Sequence, residues 1–210
     1  MSLRTIAAAL AVLSLPGARP AQADDCFTYP DFADVTDFSV NGDAAVVTTD
    51  DGPVLRLTPA LNQQAGSAFL LTPIFTANFS TRFTFRITDR GGALLDCNTV
   101  TGADGFVFVV QTVSSDVGGS GSGIGYQGIA PSLGIEFDTW CNGSNNDPSS
   151  NHIGININGS VNHGPDAAFT ADIVPDFDLG DLWHAWIDYD GSVVEVRISQ
   201  TEVRPDDPVV

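Results

Sequence analysis

The sequence predicts an all-β fold, a sandwich or a barrel of antiparallel strands. Short segments of alternating apolar and polar residues recur between clusters of Gly, Pro, Asn and Asp. Helical periodicity is scarce from Asp24 onward. Near the C-terminus, WHAWIDYDGSVVEVRIS reads as a hairpin with Asp190-Gly191 in its turn.

The first 23 residues stand apart from that pattern. Arg4 gives a short basic start, Thr5 to Leu15 form an apolar run, and Ala21-Gln22-Ala23 makes a small-x-small cleavage site. Residues 1–23 therefore read as a secretory signal peptide, leaving 24–210 as one domain. An apolar run this short does not cross about 30 Å of hydrocarbon as a helix, and no later segment approaches spanning length.

Among the strands, Phe79 to Ile87 place Phe79, Phe83, Phe85 and Ile87 on one face and Ser80, Arg82, Thr84 and Arg86 on the other. The run FVFVV from Phe106 to Val110 predicts a strand buried on both faces. Leu133, Ile135 and Phe137 alternate with Gly134, Glu136 and Asp138. Ile153, Ile155 and Ile157 alternate with Gly154, Asn156 and Asn158. Trp183, His184 and Trp186 read as packing residues of the first hairpin strand. His163 sits in a polar loop with no partner nameable from sequence.

The 210 residues carry 26 acidic and 8 basic side chains, a formal charge of −18, and every basic residue is Arg. Such a chain has no basic patch to displace counterions from phosphates, which excludes ordinary nucleic-acid binding. It equally disfavours docking on anionic lipid. Cations and neutral polar ligands remain.

The segment Ser132 to Ser160 is the richest in chemistry. Glu136, Asp138 and Trp140 recur at period two and share one strand face, with Ile135 and Phe137 on the other. Neighbouring carboxylates repel, and a bound cation is the usual remedy. Asn142, Asn145, Asn146 and Asp147 follow in a polar loop, and His152 opens the next strand. Carboxylate, amide and carbonyl oxygens suit Ca²⁺. Carboxylates with an imidazole suit Mn²⁺ or another transition ion. A polar loop with surface acids accounts for the same composition, so the residues alone leave both readings open.

At these positions the chain resembles the legume-type (L-type) lectin domain family. The spacing Glu-x-Asp-x-aromatic-x-Asn, then Asp, then His is met at Glu136, Asp138, Trp140, Asn142, Asp147 and His152, followed by HIGI. FTYPDF, NGDAAV, AGSAFLLTPI, ADGFVFVVQ, GIGYQGI and WHAWIDYDG match further landmarks in the family's order. The resemblance implies a jelly-roll antiparallel β-sandwich that binds a glycan beside a two-metal site. Asp138, Asn142, Asp147 and the Trp140 carbonyl would hold Ca²⁺. Glu136, Asp138, Asp147 and His152 would hold Mn²⁺ or another transition-metal ion. It further implies a sugar-binding Asp104 after a cis Ala103–Asp104 bond, a backbone N–H from Gly125, the Asn142 amide, and the Trp140 ring against the sugar. Without that resemblance, Asp104 is a turn residue and Gly125 one glycine of a glycine-rich stretch.

Cys97 and Cys141 flank these positions, and a bridge between them would brace the binding loops; Cys26 is the remaining thiol. A bacterial exported member is the expected source, which leaves the sequons at Asn78, Asn142 and Asn158 idle. The chain stops where family members continue into further strands, so a domain lacking its last strands, with an exposed sheet edge, is expected. A homo-oligomer is compatible with the family. Two other readings follow from the same residues. A structural surface or matrix protein would keep the fold and metals without sugar. A jelly-roll glycoside hydrolase would need a second Glu where Cys141 stands, since retaining chemistry requires two carboxyls about 5–5.5 Å apart. The expected protein is therefore not an enzyme.

Overall fold

The computed structural model describes residues 10–11, 26–91, 95–98, 101–164 and 169–210. Among the described residues, twelve strands and two 3-10 turns make up the regular structure: β1 (Leu10–Ala11), β2 (Phe38–Gly42), β3 (Ala45–Thr49), β4 (Gly52–Arg56), β5 (Gly66–Leu70), β6 (Phe79–Phe85), β7 (Gly105–Gln111), β8 (Ser132–Asp138), β9 (His152–Ile157), β10 (Thr170–Asp172), β11 (Trp183–Tyr189) and β12 (Val194–Ser199). The largest sheet runs β1-β7-β8-β9-β10, a second β12-β11-β6, and β2-β5 and β3-β4 form separate pairs. All these pairings are antiparallel except β1 with β7. The fold is all-β and consistent with the expected sandwich.

Between the five- and three-stranded sheets lies an aromatic core. Phe83 and Phe85 of β6 meet Phe106 and Phe108 of β7 and Phe137 of β8. Phe106 and Phe137 stack with ring centroids 4.7 Å apart. Trp183 and Phe177 close one end of it. The expected two-sided burial of β7 is present. Phe106 and Phe108 enter this core, whereas Val107 and Val109 join a second cluster with Phe69, Ile124, Tyr126 and Val161.

The polar face of β6 behaves as its alternation predicts. The Ser80 hydroxyl donates to Asp188, and the Arg82 guanidinium lies 5.5 Å over the Trp186 ring. β11 and β12 pair from His184↔Ser199 to Tyr189↔Val194, with Asp190 and Gly191 in the turn. The Asp190 carboxylate accepts from the Ser192 and Val193 N–H groups, and Gly191 takes φ +99°.

One expectation needs correction. Ile157 ends β9 exposed, beyond the reach of the core that takes Ile153. At Val196 the edge of β12 is covered: its N–H donates to the Val210 carbonyl and its own carbonyl accepts from the Val209 N–H. Most of the 1–23 segment, read from sequence as a signal, lies outside the described residues; Leu10 and Ala11 pair in parallel with Val110 and Gln111.

Candidate metal centre and adjoining cavity

Three adjacent strands build one polar face. Register pairs Gly105 with Asp138, Val107 with Glu136, Glu136 with Gly154, and Asp138 with His152. Parity then puts Gly134, Glu136 and Asp138 of β8 beside His152, Gly154 and Asn156 of β9. The glycines supply the room. A Cβ on Gly154 would stand 2.4 Å from a Glu136 carboxylate oxygen, and one on Gly105 would stand 2.2 Å from the Phe137 carbonyl.

Glu136 is 1% exposed and carries an ionised carboxylate. Burial alone would raise its pKa, but hydrogen bonds and charge from His152 and His163 outweigh it and hold the group down at about 2. His152 Nε2 lies 3.2 Å from Glu136 Oε1, and the Asn156 amide donates to Oε2 at 2.6 Å. His152 Nδ1 faces the Ser149 carbonyl at 3.0 Å. With a cation bound, that contact would hold the Nδ1–H tautomer and leave the Nε2 lone pair to the ion.

Asp138 differs. Burial first, then the Glu136 charge, hold its carboxyl well above the usual carboxylate range, although the Trp140 N–H donates to it at 2.6 Å. Asp147 is raised in the same direction by burial, against the Asn142 N–H that donates to its Oδ2 at 2.6 Å. The Asn142 side-chain oxygen is buried with no hydrogen-bond partner. Carboxyls pushed towards neutrality and an orphaned amide oxygen form a donor set that a divalent cation satisfies. Two groups converge closely enough to hold an ion, Glu136–His152–His163 and Asp138–Asp147–His152, each with its donor atoms within 4.8 Å of one another.

His163 is the residue that sequence reasoning missed. The sequence places it in a polar loop without a nameable partner, yet its Nε2 comes within 2.5 Å of Glu136 Oε1 and 3.7 Å of Asp147 Oδ1. The signal available was slight: one more imidazole, eleven residues past His152, with no strand parity to orient it.

The loop between β8 and β9 is tied down at both ends. A disulfide joins Cys97 to Cys141, and the Cys141 N–H donates to Asp96. Cys26 is a free, exposed thiol. At the far end buried Asn151 donates to the Ile173 carbonyl and accepts from the Phe177 N–H, a bracing role not read from sequence.

Ala103–Asp104 is a cis peptide, as expected. Asp104 is half-buried, with its carboxyl raised by burial, and its carbonyl accepts from the Thr139 N–H. Asp104 and Gly125 line one cavity of about 650 Å³ together with Thr139. That volume falls within the range of small-molecule sites. Trp140 and Asn142 do not line it. Trp140 is half-buried at the end of β8, next to Thr139. Asp178, also missed from sequence, contributes to the wall; Arg90 pairs with it at 3.3 Å.

The model of the legume lectin β-barrel domain matches residues 29–201. The chain belongs to the legume lectin family. A curated relative, the L-type lectin-domain containing receptor kinase VIII.1 of Arabidopsis thaliana, is 29% identical over 174 residues, covering 80% of this chain and 22% of that protein. The chain thus spans about a fifth of that relative's length. Two solved structures are similar. The lectin from Bauhinia forficata in complex with GalNAc has a TM-score of 0.64 at 25% identity, covering 84% of this chain and 78% of the other. Lectin I-B4 from Griffonia simplicifolia, in its metal-free form, has a TM-score of 0.58 at 29% identity, covering 86% and 79%. The legume lectin domain here carries Glu136, Asp138 and His152 on one side of the large sheet, with the cis Ala103–Asp104 bond just before β7.

Proposed function

We propose that this legume lectin domain binds a mono- or oligosaccharide, without catalysis, beside a site for Ca²⁺ and Mn²⁺ or another transition ion. The observation that carries the reading is the convergence of Asp138, Asp147 and His152, and of Glu136, His152 and His163, with the orphaned Asn142 oxygen; Thr139, next in the chain to Asp138, lines a cavity with Asp104 and Gly125. Asp138, Asn142, Asp147 and the Trp140 carbonyl take Ca²⁺. Glu136, Asp138, Asp147 and His152 take the transition ion. The cations supply the charge that lets the buried carboxylates stay ionised together.

The chain's own groups then recognise the sugar. Asp104 accepts hydrogen bonds from two hydroxyls, and the Gly125 N–H donates one. Asn142 spends its oxygen on Ca²⁺ and its amide N–H on the sugar. The Trp140 ring lies along the apolar face of the pyranose. Hydrolysis is disfavoured: Cys141, where a jelly-roll hydrolase needs its second carboxylate, is held in a disulfide. The domain extends from residue 24, after an export signal over 1–23, and works outside the cytoplasm. The relatives' sugars are theirs; the ligand of this chain is set by its own cavity.

A glycan array run with and without Ca²⁺, with Asp104→Asn alongside, tests the reading. Calcium-dependent binding that the variant loses is the expected result. Metal binding with no glycan signal would favour a structural protein that keeps the fold and its ions.

A further inference from the structure

The geometry points to His163 as a second imidazole ligand of the transition-ion position, which favours an ion later than Mn²⁺ in the first row, such as Zn²⁺. This rests on the metal reading above and adds a residue to it.

Three observations carry the assignment. The first is placement. The His163 side chain is 3% exposed, and its Nε2 and that of His152 both converge on Glu136 Oε1. The two rings stand at 88° with centroids 5.4 Å apart, so they approach the carboxylate from different directions rather than stacking. Donors at about 2.0–2.2 Å from one ion lie roughly 3–4 Å apart. The 3.2 Å between His152 and Glu136 already has that spacing, and the 2.5 Å between His163 and Glu136 needs to open by only a fraction of an ångström.

The second is an unmet valence. Buried His163 Nε2 has no hydrogen-bond partner of usable geometry, although Glu136 is beside it. Its contact with Glu136 is close but poorly aligned, and an ion between the two groups would take the nitrogen lone pair directly.

The third is the scaffold. The His163 N–H donates to the Asn145 carbonyl, and the Asn162 amide donates to the Ser144 carbonyl while its oxygen accepts from Asn146. The loop carrying His163 is thereby pinned to the turn at 143–146, which also precedes Asp147. Gly154 keeps the seat open, since a Cβ there would stand 2.7 Å from the His163 ring. A second imidazole beside Glu136, Asp138, Asp147 and His152 makes the donor set softer than carboxylates with one imidazole. By ligand preference such a set favours Zn²⁺, Co²⁺ or Cu²⁺ over Mn²⁺.

The test uses chelator-stripped full-length protein. Calorimetric titration with Zn²⁺, Mn²⁺ and Ca²⁺ is run on wild type, His163→Asn and His152→Asn, and pulsed EPR of Cu²⁺-loaded wild type counts coordinated imidazoles. The expected results are two imidazoles in wild type and a Zn²⁺/Mn²⁺ affinity ratio that falls about tenfold or more in His163→Asn. Ca²⁺ binding persists in that variant. One imidazole, or an unchanged ratio while His152→Asn abolishes transition-ion binding, would overturn the role of His163 and leave the metal reading intact. Wild type that takes up no transition ion would sink both. Should His163→Asn fail to fold, the imidazole count on wild type still decides.

Discussion

The two faces of β8 are built from alternate residues of a single seven-residue strand, yet they achieve cohesion by opposite means. Ile135 and Phe137 enter a packed cluster in which Phe137 touches Phe83, Phe85, Phe106 and Phe177. Nothing from outside the chain is needed there, because apolar surface leaving water is itself the driving force. Glu136 and Asp138, one residue out of phase, enter a pocket where burial works against them. Glu136 is rescued by imidazoles, whereas Asp138 is pushed towards its neutral form. The apolar face is therefore self-sufficient, whereas the polar face, on the proposed reading, would be completed by a cation.

Phe137→Ala should have the largest effect. Removing a fully buried aromatic ring costs about 3–5 kcal/mol. The loss should be the same with metal or with chelator, as read by denaturant unfolding of both forms. A loss that depended on metal would mean that the two faces are not independent.

Cleaving the Cys97–Cys141 bridge, which closes a span of 44 residues, should cost about 2–4 kcal/mol. It should also weaken metal binding, because Cys141 sits between Trp140 and Asn142. Cys97→Ala with Cys141→Ala, followed by thermal melts and metal titration, checks both parts.

Asp138→Asn should act in the opposite sense on the two forms. In chelated protein it removes a carboxylate that burial penalises, so stability should hold or rise. With metal at a hundred times its dissociation constant, wild type gains about 3 kcal/mol that the variant lacks. The gain should shrink as pH falls, since protons compete for the same donors. Melting curves with and without Ca²⁺ and Zn²⁺ at several pH values measure it. Asp104→Asn, off this face, should leave the melts unchanged and weaken glycan binding about tenfold or more, the value of a charge-assisted hydrogen bond.

The smallest effect belongs to a polar group that no cation serves. Burial first, then the nearby Arg82, lower the pKa of His184. A histidine held neutral by the fold stabilises it above the unfolded value of about 6.5 and loses that contribution as pH falls below it. Metal-saturated wild type should lose slightly more stability between pH 7.5 and 5.5 than His184→Gln. Equal pH profiles would sever this group from the comparison.

Much of this arrangement was legible in the strands. Period two separated Glu136 and Asp138 from Ile135 and Phe137, and the continuous apolar run from Phe106 to Val110 predicted burial on both sides. The family's spacing pointed to the cis bond before Asp104, and flanking positions pointed to the Cys97–Cys141 pair. What escaped lies in loops, where no period constrains direction. His163 reaches Glu136 only because backbone hydrogen bonds fold its loop against the turn at 143–146. Asn151, Asp178 and the pairing of Val209 and Val210 with Val196 likewise depend on contacts between segments distant in sequence. Ile157 failed for the converse reason: the alternation of β9 outlasts the core it faces.

That last pairing has a bearing on self-association. A strand with free N–H and C=O groups along its side is a template on which a second copy can add and continue the sheet indefinitely. At Val196 both groups are already engaged by Val209 and Val210, and Val210 is partly buried against the core. A neighbouring molecule that sought to extend the sheet through β12 would first have to peel this segment away and give up its buried contact. At Val196, two valines thus take the backbone groups that a second strand would otherwise use.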